Sequence, residues 1–319
     1  AYIPSDIKNI FNFIMSKELV LLRKKEWIKI LDTNPIKLIV CEGFPFCRHQ
    51  FSHEYFSFFE EAKKRGIKLI ISARDFPWDE PHQDSLQDWV AYTQNIVCKY
   101  YAEKVLIHGD PEYLPLVADR VRMNNPSEVI KHLEDKIIYT GYVCNEKIKP
   151  HNRENNNIIV STGLNKEEGM LVFREITKIA SQFPEYKFIM PIANRYLNNI
   201  KAKTKDNIVM VPYIKDMYKI LSSCSLYITY GGYNSTMEIL KSEIPAIIIP
   251  RTDGQKMEQF VRCYTFEPFN FFKVVSKSEF KFLPSIIESC LSSKEFPNKN
   301  SINLNGVEES YDTITKIYN

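Results

Sequence analysis

Apolar and polar positions along the chain change period in a repeating order. Short aliphatic runs, KLIVC (37–41), IKLIISA (67–73), KVLIH (104–108) and KIIYT (136–140), are separated by longer stretches with helical spacing or turn residues. Runs of this length and β-branched content read as strands buried on both faces, as in a parallel sheet. Between them, SHEYFSFFEEAKKRG reads as a helix that ends at Gly66 with basic residues in its last turn. Tyr55, Phe56, Phe58 and Phe59 are its expected buried face. A second helix is expected over roughly 84–102, followed by the turn Gly109-Asp110-Pro111. Ahead of the first strand, Ile10, Phe13, Ile14, Leu21, Leu22, Trp27 and Ile30 mark a long helical pattern.

The stretch NEKIKPHNRENNN (145–157) is polar and aperiodic, so the domain boundary is expected there. After it the strand–helix rhythm resumes: IIVSTG, a helix over 167–182, KFIMP, NIVMV, then LYITY and a glycine pair. A short strand KVV (273–275), a helix near 277–291 and a last helix near 306–317 close the chain. Strands alternating with helices predict an α/β fold of two Rossmann-like, doubly wound domains. The expected layout is a first domain over 1–145, a linker over 146–157, a second domain over 158–305 and a terminal helix over 306–319.

The organising stretch is LYITYGGYNSTMEILKSEIPAIIIPRTDGQKMEQ, from Leu226 to Gln259. It reads as strand, glycine turn, helix, strand, loop, helix. Gly231 and Gly232 permit a tight turn and close approach of a ligand to the backbone. Asn234 and Ser235 are expected N-cap residues, placing a helix start and its unpaired N–H groups above the sheet. The same residues allow a plainer reading, in which Ser235-x-x-Glu238 is a capping box.

Composition narrows the class. Apolar residues make up 44% and charged residues 25% of the 319, as in soluble globular chains, and the length suits two domains. A net charge of +3 argues against a dedicated nucleic-acid binder. The seven cysteines are scattered with no CxxC pair, which predicts reduced thiols and a cytoplasmic protein. No apolar run approaches the ~20 residues of a membrane span. His49 and His53 lie four apart without a third ligand, so a surface pair is expected rather than a metal site.

GGYNSTME, then IPAIIIPR, then a loop ending in Glu258-Gln259 resembles the donor-binding half of the MurG-like (family 28) glycosyltransferases. VPYIKDMYKILSSCSLYIT resembles the segment that precedes the same strand in that family. SARDF (72–76) and IHGDPEYLP (107–115) resemble a set within it that carries a strand-end RDI-type motif and a GDP-type turn. The resemblance implies a GT-B arrangement, with the cleft between two domains and the last helix packing back on the first. It also implies an opening Gly-rich segment that this chain lacks, since no glycine precedes Gly43. A partner could supply that segment.

The donor side implied by the resemblance comprises Ser161, Thr162, Gly163, Ile214, Gly231, Gly232, Asn234, Ser235, Thr236, Glu238, Glu258 and Gln259. Hydroxyls and N–H groups at 161–163 and 231–236 would meet a diphosphate. The Ile214 backbone would read uracil, Glu238 would accept both ribose hydroxyls, and Glu258 and Gln259 would hold the sugar. Arg251 and Asp253 can add contacts. Two features depart from the family: STGLNKEEG keeps only Gly163 and Gly169, and Cys144-Asn145 stand where an arginine is expected, with Lys147 or Lys149 as substitutes.

Transfer with inversion needs a base for the acceptor hydroxyl. Asp75 and Glu42, at neighbouring strand ends, are the candidates, and Arg74 can pair with Asp75 or with an acceptor anion. Asp79 and His82 extend the acceptor side. The expected function is inverting, metal-independent transfer of N-acetylglucosamine from its UDP-sugar to an acceptor the sequence does not identify, with no cofactor. A peripheral membrane contact stays open. A nucleotide-sugar hydrolase or epimerase, or a non-catalytic nucleotide-sugar-binding subunit, are the alternatives.

Overall fold

The structure is a computed structural model that describes residues 17–48, 51–75, 95–113, 135–150, 152, 154–162, 167–192, 205–251, 257–292 and 301–319. In chain order the elements are α1 (Lys17–Thr33), β1 (Leu38–Glu42), α2 (Ser52–Lys64), β2 (Lys68–Arg74), β3 (Ala102–His108), β4 (Ile137–Tyr139), β5 (Asn157–Ser161), α3 (Glu167–Ile179), β6 (Lys187–Pro191) and β7 (Ile208–Val211). They continue with α4 (Met217–Leu221), β8 (Leu226–Thr229), α5 (Tyr233–Ser242), β9 (Ala246–Ile248), α6 (Met257–Phe266), β10 (Lys273–Val274), α7 (Leu283–Ser292) and α8 (Gly306–Tyr318). The chain divides into two compact units. Among the described residues, the first holds everything up to Pro111, then 135–141, then Asn305–Asn319, and the second holds the rest. The 145–157 segment belongs to the second unit, where Asn152 and Glu154 N–H groups donate to the carbonyls of Ser222 (2.7 Å) and Ser223 (3.0 Å).

In the first unit four parallel strands run in the order β1-β2-β3-β4. Leu69, Ile70, Ile71, Val105, Leu106 and Ile107 are buried, as their continuous aliphatic runs dictate. Helix α2 ends where Gly66 takes φ +69°, a conformation that only glycine adopts without strain. Glu54, buried in α2, accepts two bonds from Arg23 of α1 at 2.7 and 2.8 Å, so a fork-shaped ion pair ties the two helices. Of the expected aromatic face only Phe59 is fully buried; Tyr55 stacks on Phe44 at 4.5 Å and Phe58 tilts against Trp27. Lys68 Nζ donates to the Ile317 carbonyl and Lys37 lies over the Tyr318 ring, which fixes α8 within this unit.

The helical pattern ahead of β1 forms α1 over its described part, where Leu21, Leu22 and Ile30 are exposed and Leu31 is buried. Ile10, Phe13 and Ile14 lie outside the described residues. The helix expected over roughly 84–102 ends, among the described residues, in a π-helical turn over Val97–Tyr101 that runs into β3 at Ala102, and 84–94 lie outside the described residues. Buried Val97 and Cys98 are used by that wider turn to enter the strand.

The second unit has six parallel strands in the order β10-β9-β8-β5-β6-β7. Counted within the unit this is 6-5-4-1-2-3, the doubly wound order. Alternate residues of the strands face opposite layers. Ile158, Val160, Leu226 and Ile228 pack with α3 and α7, through Phe173, Ile176, Leu283 and Ile287. Ile159, Tyr227 and Ile248 pack with α4, α5 and α6, through Leu221, Met237, Leu240, Cys263 and Phe266. The winding direction reverses between β5 and β8, whose carboxyl ends therefore border the crevice such sheets use for ligands.

Candidate functional site

The candidate site lies at that reversal. Ser161 ends β5 and pairs in register with Thr229, which ends β8. The Thr229 hydroxyl donates to the Ser161 carbonyl at 3.2 Å. Beneath them, the Tyr227 side chain is wholly enclosed. Burial pushes its phenol up to about 12, the Glu238 charge adds to the rise, and the hydroxyls of Thr229, Ser235 and Ser161 oppose it by hydrogen bonding. One tyrosine thus gathers the hydroxyls of two strand ends and of a helix start.

The chain then turns through Gly231 at φ +74° into Gly232, which is the N-cap of α5. This corrects the expected cap at Asn234 or Ser235. Gly232 is extended, and the helix begins at once with Thr236 N–H donating to its carbonyl at 2.9 Å. Asn234 and Ser235 consequently sit inside the first turn, and the Ser235–Glu238 capping box does not form. The first-turn N–H groups of Asn234 and Ser235 have no acceptor within the helix and carry the positive end of its dipole.

A Cβ on Gly231 would lie 2.5 Å from Cys263 Sγ and 2.7 Å from Ile248 Cγ2, whereas one on Gly232 would meet only Gln259 Nε2 at 4.0 Å. The first glycine is closed in by the core; the second has room above it. Gly231 is held further by Arg262 of α6, wholly buried, which donates from Nη1 to the Gly231 carbonyl at 3.1 Å and lies over the Tyr233 ring. The Tyr233 hydroxyl in turn accepts from the Val143 N–H at 2.8 Å.

Glu238 is half-buried one turn further along α5, on the face shared with Ser235. Burial raises its carboxyl to about 7. Among the described residues, the buried Thr236 Oγ1 and Gln259 Oε1 have no hydrogen-bond partner. An unmet buried oxygen costs about 1–3 kcal/mol, so two of them beside one glycine turn suit a site that a polar ligand completes. Glu258 is half-buried in the first turn of α6, and Arg251 lies over the Tyr230 ring at 5.3 Å. Ile214 is buried in the core against α4 and α5, so only its backbone is available to a ligand. Thr162 is buried just past β5. Gly163 and Asp253 lie outside the described residues, as do Asp79, His82 and His49.

The first-unit candidates gather at the carboxyl ends of β1, β2 and β3. Arg74 pairs with Glu42 at 3.4 Å, both partners being exposed. Successive strand residues point to opposite sides, which sends Arg74 towards the β1 end and turns Asp75 inward, 1% exposed. His108, register partner of Arg74 on β3, stands beside them. Among the described residues, no three or more His, Cys, Asp or Glu side chains are grouped to hold a metal, and no helix is long and apolar enough to cross a membrane.

Sequence reasoning missed Tyr227, Thr229, Arg262 and His108. Arg262 had a signal, a lone cation in the apolar run of MEQFVRCYTF. The others depend on strand register.

Replacing Gly232 by alanine is expected to leave the thermal midpoint within about 2 °C of wild type, because the added methyl meets nothing closer than 4.0 Å. The same methyl occupies the space above the turn, so affinity for a diphosphate should fall at least about ten-fold in a calorimetric titration.

The chain was compared with known proteins. Residues 171–314 match the family described as glycosyltransferase family 28 C-terminal domain. An uncharacterized UDP-glucosyltransferase of Bacillus subtilis is 26% identical over 149 residues, which is 46% of this chain and 35% of that protein. The UDP-N-acetylglucosamine–N-acetylmuramyl-(pentapeptide) pyrophosphoryl-undecaprenol N-acetylglucosamine transferase of Carboxydothermus hydrogenoformans is 27% identical over 141 residues, 39% of this chain and 38% of that one. The chain thus matches little more than a third of the length of these curated relatives. The crystal structure of the calicheamicin glycosyltransferase superposes with a TM-score of 0.61 at 10% identity, covering 100% of this chain and 82% of that one. The chain therefore has the α/β, two-Rossmann GT-B fold, with a glycosyltransferase family 28 C-terminal domain match over 171–314.

Proposed function

We propose that the chain is a glycosyltransferase that takes a sugar, N-acetylglucosamine, from a UDP donor and passes it with inversion to an acceptor hydroxyl, without a metal. The observation that carries this reading is the placement of Gly231-Gly232 and the α5 N-terminus at the β5/β8 reversal, with Glu238 one turn away. The diphosphate would lie over Gly232, against the first-turn N–H groups of α5 and the hydroxyls of Ser161, Thr162, Ser235 and Thr236. The buried Arg262 guanidinium behind the turn adds positive potential there, where the expected arginine after 136–140 is absent. Glu238 would accept the ribose hydroxyls, the Ile214 backbone would read the uracil, and Glu258 and Gln259 would hold the sugar. The first unit would take the acceptor, with Glu42, Arg74 and Asp75 as its charged groups; Asp79 and His82 belong to the same proposal.

The test is UDP release from UDP-N-acetylglucosamine, UDP-glucose and a GDP-sugar, with and without EDTA. UDP-N-acetylglucosamine is expected to be consumed fastest, and EDTA to change the rate less than two-fold, roughly, since helix dipole and Arg262 stand in for a cation. Binding of UDP without any release would make the chain a nucleotide-sugar-binding protein. Loss of release in EDTA, restored by magnesium, would overturn the metal-independent part.

A further inference from the structure

The first unit contains a hydroxyl–imidazole chain that neither the family match nor the sequence candidates assign. His108, at the end of β3, is half-buried, with Ser72 Oγ 2.7 Å from Nε2 and Thr140 Oγ1 2.9 Å from Nδ1. Ser310 of α8 approaches Nδ1 at 3.5 Å. One tautomer of the ring matches the carbonyl contacts of both hydroxyls at Nδ1. Thr140 donates its proton to the Gly141 carbonyl at 3.1 Å, and Ser310 donates its own to the Gly306 carbonyl. With those protons committed to the carbonyls, both hydroxyls accept at Nδ1, and the ring carries its hydrogen there. Nε2 is then the acceptor, and Ser72 donates to it. This is the geometry of a hydroxyl beside its base, with the far side of the ring oriented by a third group.

The surroundings suit proton transfer. Burial lowers the His108 pKa from its ordinary value, keeping the ring neutral at pH 7, while Glu42 on β1 raises it and Arg74 on β2 lowers it. β4 and α8 present the hydroxyls of Thr140 and Ser310. Ser72 is only half-buried, so a hydroxyl arriving at the strand ends can reach it. Asp75, by contrast, is enclosed, and Glu42 is engaged with Arg74.

We propose that Ser72 is the catalytic residue that receives the acceptor's proton, and that His108, held by Thr140, acts through it. The inference rests on the transferase reading above. In the transfer, the acceptor O–H bond breaks as its proton passes to Ser72 Oγ, and the Ser72 proton passes to His108 Nε2. The acceptor oxygen bonds to the anomeric carbon, and the bond from that carbon to the phosphate oxygen breaks, UDP leaving with the electron pair. The imidazolium later returns its extra proton to solvent. Glu42 stabilises the imidazolium while it lasts.

The experiment measures UDP release from saturating UDP-N-acetylglucosamine with water as acceptor, over pH 5 to 9, alongside UDP affinity by calorimetry. Saturation removes the titration of Glu238, which acts on binding. Wild type is expected to lose rate on acidification, with an inflection below the ordinary histidine value. His108→Gln should lower the rate about 100-fold or more and abolish that inflection, and Ser72→Ala should lower it comparably. Both variants should keep wild-type UDP affinity, and a wild-type thermal midpoint and circular dichroism spectrum report that the first unit is folded. A wild-type rate and pH profile in either variant would overturn the proposal. Failure of the wild-type protein to bind UDP would instead remove the transferase reading, and the base role with it.

Discussion

Replacing Glu238 by glutamine is expected to raise the stability of the ligand-free protein at pH 8 by up to about 3 kcal/mol while weakening its hold on UDP. Burial lifts the Glu238 carboxyl from 4.5 to about 7, and each pH unit of such a shift corresponds to about 1.4 kcal/mol. The sign follows from which state binds the proton more tightly. The folded pKa is the higher one, so the contribution is complete below the unfolded value and is lost as pH rises from about 4.5 through about 7. Above that range the protein holds an ionised carboxylate in a poorly solvated place. Glutamine removes the cost and keeps the shape. Urea titrations of both proteins at pH 4.5, 6 and 8 should show a difference that grows with pH and levels off. A variant less stable than wild type at pH 8 would mean that the carboxylate is a structural partner.

The same substitution should lower UDP affinity about 10- to 100-fold, because a carboxylate accepts both ribose hydroxyls whereas an amide oxygen competes with its own N–H₂. Wild-type affinity should also weaken below pH 7 as protonation competes. A residue that costs stability when empty and supplies affinity when filled behaves as a binding group.

The second large effect is expected at Gly231. Alanine there must adopt φ +74° and place its methyl 2.5 Å from Cys263 Sγ and 2.7 Å from Ile248 Cγ2. Overpacking of this kind costs about 1–3 kcal/mol, and the left-handed backbone adds about 1 kcal/mol for a residue with a Cβ. A loss of about 3 kcal/mol, read as a fall in thermal midpoint, is the expected outcome. Adjacent glycines are therefore expected to separate fold from binding, with Gly231 required by the core and Gly232 by the ligand. Equal midpoints for Gly231→Ala and Gly232→Ala would contradict that division.

The elements of the second unit were legible because their cause is local. Aliphatic runs such as IIV at 158–160 and AIII at 246–249 leave few conformations other than buried parallel strands, and glycines mark the turns between. The place of Gly231-Gly232 above the sheet followed from that order. What was not legible depends on register. Tyr227 is one residue of an apolar strand until Ser161 and Thr229 are known to pair across it. His108 becomes more than a strand end only when Ser72 and Thr140 arrive from neighbouring strands. The α5 cap was misplaced because an extended glycine ends the turn two residues earlier than the nearest side-chain cap. The Arg74–Glu42 pair likewise depends on β1 lying beside β2 in register.

The most direct test of the nucleotide site is amide hydrogen exchange with and without saturating UDP. Slowed exchange is expected at Ser161–Thr162 and from Thr229 to Glu238, with Leu38–Glu42 and Lys68–Arg74 unchanged. Saturable UDP binding that protects only the first-unit strands, or that protects neither set, would contradict a donor site at the β5/β8 reversal.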